Sequence, residues 1–142
     1  GTNLDTEKLF HRCRTMKNVI YKGFAINQAV RQSVQHAHIL AYPSIYEETS
    51  CLSVIEAGAA GCRIVTTNHG ALSETCGEHA TYVEYSDDRR ELINNYSQAL
   101  NNAINNYSDE GLLEQSNWFN SRYSWNIRKI EWIKFFGDIC VK

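Results

Sequence analysis

HILAYPSIYEETSCLSVIEAGAAGCRIVTTN spans residues 38–68. It begins with a short apolar run, 38–44, closed by Pro43 and Ser44, and ends with another, 62–68. Both read as strands bounded by turn-forming residues. Residues 51–61 between them read as a helix that follows a loop. A strand, a helix and a second strand in that order imply a parallel pair. Short, largely apolar strands suit a sheet covered on both faces. The expected fold is therefore α/β, with a Rossmann-like parallel sheet. The same stretch poses a chemical question. Glu47 and Glu48 lie in the loop, and Glu56 stands among Cys51, Leu52, Val54, Ile55 and Ala57. Carboxylates are expensive to bury unless something pairs with them.

Outward from this stretch the alternation continues. Residues 4–16 read as a helix, with Asn3 or Asp5 as its cap. NVIYKG (18–23) reads as a first strand ended by glycine, and 26–37 carries apolar residues at helical spacing. Residues 70–76 suit a short helix and ATYVEY (80–85) a fourth strand. From there the pattern is helical, over 87–107, 109–121 and 124–139. The opening G-x-G-x-x-G turn of a dinucleotide fold is absent, so the architecture does not by itself imply NAD.

The 142 residues suggest one compact domain, and 43% hydrophobic residues are enough for a core. A formal net charge of −2 offers no basic field for nucleic acid. No run approaches the roughly 18 apolar residues of a membrane span. The first residues do not read as a signal peptide. Five cysteines, an odd number with no C-x-x-C spacing, speak against a disulfide framework or a zinc ribbon. A reducing, cytoplasmic compartment is the expectation.

Ligands of open α/β sheets bind at the carboxyl ends of the strands. Residues 45–50, after Ser44, should therefore lie in that crevice. The helix starting near Cys51 should turn its free N–H groups toward it, which makes an anion site. Side chains at 49–51 are small, so backbone can approach a phosphate. Glu56 sits in the second turn, and helical side chains lean toward the N-terminus. Its two oxygens suit vicinal hydroxyls, as on a ribose. Glu48, nearer the crevice, suits sugar hydroxyls. The plainer alternative is that Glu56 serves a local donor or is simply exposed.

Residues 43–67, P-S-I-Y-E-E-T-S-C-L-S-V-I-E-A-G-A-A-G-C-R-I-V-T-T, resemble the donor-binding signature of GT-B glycosyltransferases, particularly the large retaining family 4. That signature is Glu, seven residues, Glu, matched here by Glu48 and Glu56. Gly70-Ala71-Leu72-Ser73-Glu74 and Arg122-Tyr123-Ser124-Trp125 continue the likeness in order. The resemblance implies a retaining transfer of a hexose-type sugar from a nucleotide-sugar, such as a UDP- or GDP-sugar, to an acceptor glycan, lipid or protein. It assigns Glu48 to the sugar hydroxyls near the reacting carbon, as the catalytic position. Thr49, Ser50 and Cys51 would offer backbone N–H groups to sugar and diphosphate. Leu52 and Ser53 would lie by phosphates and ribose, and Glu56 would hold the ribose. Gly23 and Phe24 would lie near the base, and His69 beside the donor. The family usually needs no metal or other cofactor, because a helix dipole and basic side chains stabilise the leaving diphosphate.

Two positions depart from the family pattern. Thr49-Ser50-Cys51 stands where many members have Gly-Phe-Gly, and Ser73 where many have proline. The likeness also begins after the family's first strands and omits its acceptor-binding domain. On that reading the chain is a partial C-terminal domain, inactive alone, of an enzyme compatible with peripheral membrane association.

Other features are weaker. Cys51 at a helix start favours a thiolate but has no partner base. His36 with His38, and His11 with Cys13, are too sparse for a metal site. Trp118, Phe119, Trp125 and Trp132 suit a core, or a seam against another domain, better than a sugar platform. Arg89-Arg90 and Arg128-Lys129 read as solvated faces. Competing functions are a GT-B sugar-nucleotide epimerase, a non-catalytic nucleotide-binding or interaction module, and a receiver domain. The strand ends lack the Asp a receiver needs.

Overall fold

The computed structural model describes residues 4–140. The chain divides into two compact units, 1–30 and 31–142.

In the first unit, α1 (Leu4–Thr15) has Asp5 and Glu7 in its first turn and Arg12 and Arg14 in its last. That order complements the helix dipole. Asp5 lies inside the helix, and Asn3, the other proposed cap, lies outside the described residues. Residues 18–23, expected as a strand, form none. Asn18 turns the chain with a left-handed φ of 65°. Tyr21 then packs back on α1, its ring 5.5 Å from Phe10 and under the Arg14 guanidinium at 5.2 Å. Ile20 is 85% exposed. A strand exists through its ladder, and the local apolar pattern does not provide one. α2 (Asn27–Val34) begins in this unit and ends in the next.

The second unit holds the sheet. β1 (Ile39–Tyr42), β2 (Arg63–Thr67) and β3 (Thr81–Val83) are parallel, in that order. Ile39 pairs with Arg63 and Tyr42 with Thr66, while Val65 pairs with Thr81 and Thr67 with Val83. The crossovers are α3 (Leu52–Ala59) and α4 (Leu72–Cys76). α5 (Arg89–Asn105), α6 (Leu112–Tyr123) and α7 (Trp125–Cys140) follow. Asp88 caps α5 by accepting from Arg90 N at 2.8 Å. The parallel α/β sheet expected from residues 38–68 is the observed architecture.

Adjacent residues of β2 feed opposite faces, as the strand period requires. Ile64 joins Cys51, Val54, Leu72, Cys76 and Phe119 on one side. Val65 joins Val83, Leu92, Tyr96 and Ala103 on the other. Tyr96 satisfies its buried hydroxyl by donating to Val65 O at 2.7 Å. Phe119, fully buried, seats α6 on α3 at Gly58, where a Cβ would come within 2.4 Å of the ring. Gln115 and Ser116 add bonds to Cys62 O and Ala59 O at 2.8 and 2.6 Å.

The aromatic residues separate. Phe119 is core and Trp118 packs against it. Trp125 and Trp132, in contrast, are 83% and 55% exposed. Ile130, Ile133, Phe135, Phe136 and Ile139 of α7 are exposed with them. Among the described residues no helix is long and apolar enough to cross a membrane.

Candidate functional site

The carboxyl ends of the strands are tied together by side chains of β2. Thr66 Oγ1 donates to Tyr42 O at 2.9 Å, and Thr67 Oγ1 to Ser44 O at 2.8 Å. The chain leaving β1 then crosses to the end of β2. Glu48 forms an isolated parallel bridge with Gly70, and Ala71 N donates to Glu48 O at 2.7 Å. Gly70 has φ +62°, and a Cβ there would lie 2.4 Å from Glu48 N. Only glycine permits that conformation and that approach together. The loop carrying Glu48 is thus fastened at its middle.

The Glu48 side chain is fixed from below. Tyr42 Oη donates to Oε1 at 2.6 Å, and Ser44 Oγ reaches the same oxygen at 3.4 Å. The bond to Glu48, then one to Cys51, then burial, holds the Tyr42 phenol protonated well above the usual tyrosine range.

Beyond the loop, Cys51 is the α3 N-cap in extended backbone, without a side-chain cap bond. Ile55 N is the first to find a helical carbonyl, at Cys51 O, 3.1 Å away. The N–H groups ahead of it are the unsatisfied donors that every helix start presents. Thr49, Ser50, Leu52 and Ser53 are all exposed around them. Cys51 itself is buried with Val54 and Leu72. Its side chain belongs to the core, which speaks against the nucleophile reading.

Glu56 answers the question its position raised. It lies half-buried in the second turn of α3, and its Oε1 meets Arg31 Nε at 3.3 Å. Arg31, on α2, is mostly exposed. A pair of this kind stabilises by at most about 1 kcal/mol.

His69 lies two residues past the end of β2 and stacks on Tyr85, with ring centroids 3.8 Å apart and planes 14° from parallel. Tyr85 is held in turn by Asn68 Oδ1, which accepts from its N–H at 2.8 Å, and by Asp87 Oδ1, which accepts from its hydroxyl at 3.0 Å. His69 and Glu48 therefore share the end of β2, Glu48 through its bridge to Gly70. Gly23 and Phe24 belong to the first unit, where Gly23 is left-handed and Phe24 fully exposed.

Sequence reasoning missed Tyr42, Arg31, Gly70 and Tyr85 as parts of this arrangement. For Tyr42 a signal existed: a hydroxyl at the last residue of a strand, just before the loop that carries the acid. For Arg31, 25 residues from its partner, no local signal exists. A hollow of about 220 Å³ lies at the opposite end of the sheet, lined by Arg63, Glu78, His79 and Glu110. Arg63 Nε is buried there with no hydrogen-bond partner among the described residues, and no described residue lining the hollow belongs to the Glu48 loop. Among the described residues no cluster of His, Cys, Asp or Glu is suited to a metal ion. His38 instead packs edge-on against Tyr107 at 5.4 Å.

Comparison with curated proteins and with solved structures finds no match. The family described as glycosyl transferases group 1, however, matches residues 1–102. The match takes in all three strands, the fastened Glu48 loop, Glu56 and His69. With this much of its length and the whole of its parallel sheet matched, the chain belongs to the glycosyl transferases group 1 family.

Proposed function

We propose that these residues form the nucleotide-sugar-binding part of a retaining glycosyltransferase that moves a hexose-type sugar. The observation that carries the reading is the convergence at one strand end of a fastened carboxylate, Glu48, and an uncapped helix start, α3. The carboxylate accepts hydrogen bonds from sugar hydroxyls, and the open N–H groups receive the diphosphate. Thr49, Ser50, Leu52 and Ser53 line that approach, with Cys51 contributing its backbone. Glu56 takes the ribose, with Arg31 neutralising its other side. His69, stiffened by Tyr85, borders the donor. No metal or cofactor is required on this reading, since the leaving diphosphate is stabilised by the helix start.

An amide-resolved NMR titration with UDP, GDP and ADP, repeated on Glu56→Ala, tests this. Shifts centred on residues 48–56 for one nucleotide, weakened in the variant, are the expected result. Their absence with all three nucleotides removes the donor-site reading for this chain. Product analysis separates transfer from epimerisation, because only a transferase makes a new glycosidic bond.

A further inference from the structure

We propose that Tyr42 is a positioning residue for the donor sugar: it holds Glu48 through Oε1 and so presents Oε2 to a sugar hydroxyl. The inference rests on the donor-binding reading above. Tyr42 is the last residue of β1, in register with Thr66, and its carbonyl accepts the Thr66 hydroxyl at 2.9 Å. Its ring packs against the core cluster that includes Cys51 and Val54. The hydroxyl is therefore placed by the sheet, while Glu48 stands on the loop that leaves β1, tied to β2 at Ser44 and bridged to Gly70. A contact of 2.6 Å lies in the range of an O–H donor on a carboxylate oxygen, the stronger kind of hydrogen bond. Ser44 Oγ, at 3.4 Å, is a weaker second donor, since it also engages Tyr46 N and O at 3.3 Å. Both donors fall on Oε1. A carboxylate accepts on two oxygens, and with one engaged from below the other is oriented away from the strand. The raised ionisation of the phenol keeps it a donor throughout the working pH range.

Tyr42→Phe keeps the ring and deletes the donor. Calorimetric titration of the native chain, Tyr42→Phe, Glu48→Gln and the double variant would use three pairs: UDP-glucose and UDP, GDP-mannose and GDP, ADP-glucose and ADP. For the pair that binds, Tyr42→Phe should weaken the nucleotide-sugar roughly tenfold and leave the free nucleotide unchanged. The double variant should be no weaker than Glu48→Gln alone, because Tyr42 acts through Glu48. Unchanged nucleotide-sugar binding in Tyr42→Phe, with a loss in Glu48→Gln, overturns the positioning role and leaves the donor reading standing. An equal loss for nucleotide and nucleotide-sugar marks a purely structural role and also overturns it. Failure of the native chain to bind any pair removes the donor reading, and this inference with it. Should Tyr42→Phe not fold, ¹³C-tyrosine NMR on the native chain and Glu48→Gln replaces it. Tyr42 should ionise at lower pH in Glu48→Gln, and an unmoved titration refutes the coupling.

Discussion

The narrowest tolerance in the chain is at Gly70. Any other residue there adopts a left-handed φ and drives its Cβ into the Glu48 backbone. Gly70→Ala should cost about 1–3 kcal/mol from the φ alone, more with the clash, measured by urea denaturation. Amide shifts in the variant should concentrate at residues 47–49 and 71. The carboxylates illustrate how far single residues are legible. Glu48 stood out because a glutamate sits where a strand ends, and the structure bridges it to Gly70, just beyond β2. Glu56 stood out because it interrupts an apolar run. Its partner, Arg31, lies on another helix, and no local pattern names it. Arg31→Ala should leave stability within about 1 kcal/mol, since the Arg31 side chain is mostly exposed; thermal denaturation checks this.

At the scale of elements, periodicity located every helix and three of the four expected strands. The one not found, 18–23, has strand-like residues but no ladder among the described ones, and Asn18 and Tyr21 turn it back on α1. Helices carry their hydrogen bonds within themselves, so sequence finds them; strands depend on a neighbour that sequence does not name. The contact of α6 with α3 is equally specific. Phe119→Ala should cost about 3–5 kcal/mol, because a fully buried ring seated on Gly58 leaves a cavity. Trp132→Ser on α7 should cost no more than about 1 kcal/mol, because its ring is more than half exposed and packs on Phe135 and Phe136 of the same helix. Denaturant midpoints of the two variants compare them directly.

For the molecule as a whole, the buried acids set its response to base. Burial pushes the Cys76 thiol from 9.0 up to about 12, and the Tyr96 phenol from 10.0 up to about 12. Both are neutral when protonated, and both ionise first in the unfolded chain. Between those values the unfolded state holds fewer protons, so stability falls as pH rises. It should be fully present below about pH 9 and decline progressively toward pH 12, followed by circular dichroism at fixed urea. Cys76→Ser, which keeps a small polar group without an acidic proton in this range, should flatten the onset near pH 9.

The sequence by itself determined the order of elements, the parallel sheet, the family resemblance and the carboxylate at the strand end. These follow from patterns local in the chain: apolar period, turn residues, and the spacing of two glutamates. Only the tertiary structure decided that Tyr42 grips Glu48, that Arg31 answers Glu56, that the Cys51 thiol belongs to the core, and that 18–23 is not a strand. Each of these depends on which surfaces meet across the fold, and residues distant in sequence meet there through packing that no local pattern encodes.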